Sequence, residues 1–418
     1  MKKEKENKNN LKKRIFKVNF LIKIMKQKYE LLAPAGNFPM LVTAVNAGAD
    51  AVYFGLKDFS MRATAKNFSI KDLDKIEEIC KEKKVKRYLT LNTIIYNDEL
   101  KKVEKIIKKV KDKIDAIICW DLAVIQICKK YKVPFFISTQ ASVSNVETAK
   151  FYKNLGAKRI ILARELNLKQ IKEISKIVDI ECFAHGAMCV AVSGRCFTSQ
   201  FLFNKSANRG ECLHPCRRSY YVKDEEGNEL KVTNDKIFSA KDLCTLPFIE
   251  KMKKSGIKSF KIEGRNREPR YVDAVVRIYR KALDNKLTKK EIKDSLKKLE
   301  SVYNRGFSSG FYLGIPNVND FSTVEHNASK EKKHYVGKVT HYFTNIEVAA
   351  IKLVSELKVG DNIVIIGEKT GLKKSKIEHI EINKKSVQTG KKNEEIALKL
   401  SKVRKNDKVY AIKKIKQS

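Results

Sequence analysis

The chain has 418 residues, 43% of them hydrophobic, which is enough apolar material for one large folded domain and a smaller one and too much for a disordered chain. No uninterrupted apolar run approaches the roughly 20 residues that a membrane helix needs, which argues against a membrane partner and for a cytoplasmic location. Lysine and arginine number 88 against 48 aspartates and glutamates, a formal charge of +40, which favours a polyanionic partner such as nucleic acid, although lysine spread along the whole chain also fits a general lysine bias.

Residues 1–28 hold eleven basic and two acidic side chains and no turn or cap. Lys17 and Lys23 break their only apolar patch, which makes a poor signal-peptide core, and Met25 stands just before the first convincing strand. The segment reads as a basic, disordered extension. From Tyr29 onward, short apolar runs alternate with helical stripes. The predicted strands are 29–34, 51–56, 86–92, 116–121, 135–140, 159–165, 180–185 and 259–264. Between them, Leu100, Val103, Ile106, Ile107 and Val110 share one helical face, as do Leu168, Ile171, Ile174, Ile177 and Val178. Strands alternating with helices imply parallel βαβ units, and eight of them up to about residue 285 match a TIM-like (β/α)8 barrel of roughly 250 residues. A doubly wound open sheet is the alternative, but no G-x-G-x-x-G follows the first strand. The expected organisation is a barrel domain over 29–330 with a Cys-rich insertion at 186–240.

In such a barrel the chemistry gathers at the C-terminal ends of the strands. Polar side chains stand at those ends: Asn92 after the third strand, Gln140 after the fifth, Arg164 and Glu165 after the sixth, His185 after the seventh, and Glu263 and Arg265 after the eighth. Strand alternation puts Lys261, Glu263 and Arg265 on one face.

The insertion after the seventh strand carries Cys189, Cys196, Cys212 and Cys216 in a C-x6-C-x15-C-x3-C spacing. Disulfides fit poorly, since the chain shows no secretory signal and its nine cysteines are an odd number. Zinc and an iron–sulfur cluster remain; zinc sites favour tight C-x2–4-C pairs, a form only Cys212 and Cys216 have, whereas the wider gaps suit a cluster on a broad loop. Cys80, Cys119, Cys128 and Cys182 sit among apolar neighbours and read as core, and Cys244 is an outlying candidate ligand. Beyond the barrel, 268–283 is a predicted helix with Pro269 near its start. Short strands with Gly and Asp turns then predict an antiparallel β-barrel domain over 334–416. Its stretch 357–366 resembles the small barrels appended to translation factors and RNA enzymes. The domain is expected to position a partner or to add stability.

The stretches YELLAPAGNFPMLVTAVNAGADAVYFG, ILARELNLKQI, ECFAHGAMCVAVSGRC, GECLHPCR, SFKIEGR and NRGFSSGFYLG together resemble the peptidase U32 family from about Tyr29 to the C-terminus. The branch most resembled carries out prephenate-dependent 5-hydroxylation of the tRNA wobble uridine; a sister branch hydroxylates a ribosomal RNA cytidine. The resemblance implies a 4Fe-4S cluster on Cys189, Cys196, Cys212 and Cys216, with Cys244 as the other candidate for the fourth ligand. It also implies tRNA or rRNA as substrate and prephenate, a dicarboxylate, as co-substrate. The family's older label is protease or collagenase. No H-E-x-x-H pair or G-x-S-x-G elbow is present, and the remaining nucleophile–base candidate is Cys189 with His185.

Within the mouth, Arg62 and Arg265 are expected to clamp a carboxylate or phosphate, since the guanidinium fork binds either in bidentate fashion. Glu165, Glu263 and His185 are expected to handle protons, with burial raising a carboxyl toward neutrality. Arg164 and Lys261 are their available ionic partners and further substrate-binding candidates. Asn92 and Gln140 either hydrogen-bond a base edge or tie loops together.

Overall fold

The computed structural model describes residues 29–415 except Thr64, 221–222 and 229–237. The basic extension at 1–28, part of the 186–240 insertion and the last residues of the C-terminal segment therefore lie outside the described residues.

Nine strands build the N-terminal part: β1 (Glu30–Pro34), β2 (Ala51–Gly55), β3 (Lys86–Thr90), β4 (Ala116–Cys119), β5 (Phe135–Ile137), β6 (Arg159–Ile161), β7 (Ile180–Gly186), β8 (Asp242–Cys244) and β9 (Ser259–Ile262). All except β8 pair in parallel, each with the next, and β9 pairs with both β7 and β1. The eight parallel strands thus close into a TIM-like barrel with helices between them. Their residues are buried on both faces, which is why they read as near-continuous apolar runs in place of alternating ones. Side-chain caps fix several of the helix starts. Before the helix Phe38–Ala47, Asn37 accepts the Met40 N–H, Pro39 stands in the first turn, and Gly48 closes the other end at φ 98°.

The short strand β8 lies at the far end of the insertion and runs antiparallel to β7, pairing Cys244 with His185. It is braced by β10 (Phe307–Ser308). Residues 331–414 form a second, antiparallel unit around its own core, which includes Val336, Val339, Ile351, Ile365, Ile380, Ile396 and Val409. That unit docks on the barrel through its strand Gly371–Lys376, where a Cβ on Gly371 would meet Val42 at 2.9 Å. Ion pairs hold the seam: Arg270 to Glu331 at 2.7 Å, Lys374 to Asp273 at 2.7 Å, and Lys333 to Glu268. No helix among the described residues is long and apolar enough to cross a membrane.

Candidate functional site

The C-terminal ends of the barrel strands surround a cavity of about 130 Å³, roofed by the insertion. Its lining includes all four insertion cysteines: Cys189, Cys196, Cys212 and Cys216. Four tethers hold that loop-rich roof in place. Gly210, at φ 92°, lies so close to the loop after β2 that a Cβ would stand 2.2 Å from the Ser60 carbonyl oxygen, and its own carbonyl accepts the Ala63 N–H at 3.0 Å. Arg209 forks onto Glu99. Glu165 accepts the Ser193 N–H at 3.0 Å. Arg305 is fully buried; it donates to Asp242 at 2.8 and 3.0 Å and reaches the Met188 carbonyl at 3.5 Å.

The thiols have polar company. The Thr198 N–H points at Cys196 Sγ from 3.4 Å, and Ser199 Oγ lies 4.0 Å from Cys212 Sγ. Burial pushes the Cys216 thiol up to about 11, against the pull of Arg217. Among the described residues no three His, Cys, Asp or Glu side chains gather tightly enough to ligate one ion; the four thiols ring the cavity instead. Cys244 is not among the lining residues: it is buried on β8 beside the Tyr279 hydroxyl, and burial raises its thiol to about 11. Cys80, Cys119, Cys128 and Cys182 are buried in the core, as the sequence indicated.

Six of the polar residues singled out in the sequence as binding groups reach the cavity: Arg62, Asn92, Gln140, Arg164, Lys261 and Arg265. Three of them have partners that define their part. Asn92 and Gln140 face each other across Ser138, and Asn92 also accepts the Met61 N–H at 3.3 Å, so this pair ties the loops after β3 and β5. Lys261 donates to the fully buried Glu181 at 2.9 Å, and burial keeps its pKa below the ordinary lysine value.

The arginines are different. Arg265 is buried beside the Tyr53 ring, 6.0 Å away, and among the described residues donates to the hydroxyls of Ser60 at 2.6 Å and Thr90 at 3.0 Å; burial brings its pKa down to about 10. Arg164 gives one N–H to the Ala187 carbonyl at 3.0 Å and stacks 4.2 Å over Phe183, while its buried Nε and Nη2 have no hydrogen-bond partner among the described residues. Arg62 pairs with Glu263 at 3.2 Å. The lining holds five cationic side chains, with Arg217 and Lys261 among them, and one carboxylate, Glu263.

Three expectations for proton handling need correction. Glu263 does reach the cavity, but burial, which would raise its carboxyl, is outweighed by Arg62, Arg267, Arg164 and Arg217; its pKa is lowered, so it is a fixed anion. Glu165 is committed to the Ser193 N–H and is absent from the lining. His185 faces away from the mouth. A register shift between Phe183 and His185 places His185 opposite Ile262, on the outward face of the barrel wall. There it packs against Tyr271, Tyr279 and Phe307, and burial lowers its pKa to about 4. The Tyr312 and Tyr279 hydroxyls take the Phe183 and Ala184 carbonyls, each at 2.8 Å. The histidine that does line the cavity is His214, between Cys212 and Cys216, with Arg217 just after. The stretch GECLHPCR displayed both, but its thiols drew the attention.

Residues 36–322 match the family model described as Peptidase family U32. A collagenase of Porphyromonas gingivalis is 40% identical over 408 residues, covering 92% of this chain and 98% of that protein. The tRNA hydroxylation protein P1 of Bacillus subtilis is 34% identical over 359 residues, 82% of this chain and 85% of that protein. A 23S rRNA 5-hydroxycytidine synthase of Escherichia coli is 37% identical over 264 residues, 62% of this chain and 40% of that protein.

Proposed function

Since the chain belongs to peptidase family U32, we propose that it is an RNA-modifying hydroxylase acting on tRNA, with the wobble uridine 5-position as target. The observation that carries this reading is the composition of one cavity: four cysteine thiols facing five cationic side chains and a single carboxylate. The relatives named for tRNA and rRNA hydroxylation point the same way.

The thiols suit a 4Fe-4S cluster on Cys189, Cys196, Cys212 and Cys216. A ring of sulfurs matches a cluster, which shares its ligands among several irons, better than one zinc, which draws its donors to about 2.3 Å. The donors near Cys196 and Cys212, together with Arg62 and Arg217 nearby, offset the negative charge that thiolate ligation brings. Bound there, such a cluster would supply one-electron chemistry.

The protein's own residues bind and orient. Arg164, with two buried N–H groups unspent among the described residues, and Arg265, hydrogen-bonded there to hydroxyls and to no carboxylate, are the pair suited to the carboxylates of a dicarboxylate such as prephenate. Glu263 fixes Arg62 at the rim, and the Asn92–Gln140 pair keeps the strand ends in register. The Cys189–His185 pair that a peptidase reading would use is not formed in this geometry, because His185 is turned outward, away from the cavity that Cys189 lines.

The test is anaerobic purification with an absorption spectrum and iron and sulfide assays, followed by nucleoside analysis of tRNA from cells lacking the protein. A band near 400 nm, about four irons per chain and loss of the 5-hydroxylated uridine would support the reading. A protein that holds only zinc, with tRNA unchanged in its absence, would overturn it.

A further inference from the structure

A second cleft, of about 820 Å³, runs along the seam between the barrel and the C-terminal unit. Its walls come from the start of the helix Phe38–Ala47, the loops after β2 and β9, and from the C-terminal unit the turns 366–369 and 404–408. It adjoins the thiol-lined cavity. Asn37, Lys66 and Arg267 also line a smaller hollow that shares Cys212, His214 and Arg265 with that cavity, so the three hollows lie side by side from the cysteines to the seam.

The charges along this row of hollows are not balanced. Seven basic side chains line the seam cleft against four acidic ones. Each of those four carboxylates is engaged: Glu268 by Lys333, Glu368 by Lys75 at 3.4 Å, Asp72 by the Ser69 N–H at 2.7 Å, and Asp407 by the Arg404 N–H at 2.8 Å. Lys66, Lys369, Lys405 and Lys408 are exposed and form no ion pair among the described residues. Surface lysines scattered at random are ordinary. Here they stand in one groove where basic side chains outnumber acidic ones seven to four and two of the four acids are ion-paired, and the groove adjoins the thiol-lined cavity.

We propose that this seam cleft is the docking track for the phosphodiester backbone of the RNA substrate, with the C-terminal unit forming one wall and holding the strand whose target base enters the thiol-lined cavity. The proposal rests on the RNA reading given above and adds where the RNA lies. A small anion would need one of these lysines, whereas a chain of phosphates uses several at once, with counterion release as the driving force. The side-by-side placement of the hollows favours one ligand that spans both sites.

The test uses the full-length, cluster-loaded protein and fluorescently labelled, unmodified tRNA, with dissociation constants measured across a salt series. The double variant Lys405→Glu/Lys408→Glu should weaken binding at least tenfold and flatten the plot of log affinity against log salt by about 1.4, the value for two lost phosphate contacts to a single strand. Lys66→Glu/Lys369→Glu should act in the same direction. Lys101→Glu/Lys105→Glu, exposed on the helix Leu100–Val110 and outside the cleft, should stay within about twofold of wild type. If wild type binds tRNA and the cleft variants match the Lys101/Lys105 control, the cleft assignment fails while the RNA reading stands. If wild type binds poly-L-glutamate through the cleft and not tRNA, both fail and the partner is an acidic polypeptide.

Discussion

The floor and the mouth of the barrel are both filled with charge, yet they are built on opposite terms. At the floor, Glu30 and Glu181 face Arg159 and Lys261, with Tyr88 and Ser259 donating to the carboxylates at 2.8 to 3.2 Å. The exposed Lys86 adds a third cation 3.7 Å from Glu30, Lys261 reaches up into the cavity lining, and among the described residues Arg159 Nε is the floor donor without a partner. At the mouth, arginines outnumber the one carboxylate, and Arg164 keeps two buried donors unsatisfied among the described residues. A buried ionic network that closes on itself holds the fold together; one that stays open invites an anion from outside.

Removing what the mouth takes from outside should have the largest effect. Cys212→Ser is expected to take iron from about four per chain to below one, as read by iron assay after anaerobic purification. Cys244→Ser, its buried counterpart on β8, should leave iron content unchanged. Equal losses in both variants would move the fourth ligand to Cys244.

The floor should answer in stability. Glu181→Gln leaves Lys261 and Arg159 buried without their shared carboxylate and is expected to cost about 3–5 kcal/mol in denaturant unfolding. A cost below about 1 kcal/mol would mean that the floor is not the closed network its distances describe.

His185 shows where the sequence ran out. The eight strands were legible because buried parallel strands are mostly apolar, even with Glu30, Arg159, Glu181 and Lys261 among their residues, and the residues at their ends were legible because barrel topology brings such ends together. His185 was assigned to the mouth because it ends the seventh strand. The register shift after Phe183 moves it to the other face, and a shift of one residue leaves no mark in composition. His214, Arg217 and Arg267 were missed for a related reason: they lie in loops, where no period tells inside from outside. The cysteines, by contrast, needed no period, since their spacing alone set apart the four that line the cavity.

The outward position of His185 has a consequence for acid stability. Its pKa falls from 6.5 to about 4 on folding, so between those values the unfolded chain takes up a proton that the folded one refuses. Stability should therefore fall as pH drops from about 6.5 to about 4, by roughly 3 kcal/mol in all, at 1.36 kcal/mol per pH unit. In unfolding curves taken over that range, His185→Phe should flatten the dependence. An unchanged slope would assign the acid sensitivity to other groups.

The smallest expected effect separates mouth from floor most directly. Arg164→Gln removes a guanidinium whose one hydrogen bond among the described residues is to the Ala187 carbonyl, so no hydrogen-bonded carboxylate is left stranded. Folding stability should change by less than about 1 kcal/mol, whereas lost charge-assisted bonds of about 1.5–3 kcal/mol predict roughly 10- to 100-fold weaker binding of prephenate by calorimetry. The opposite pattern, a large loss of stability with prephenate affinity unchanged, would make Arg164 a structural cation like Arg159. The open network at the mouth would then be a feature of the fold and not of its ligand.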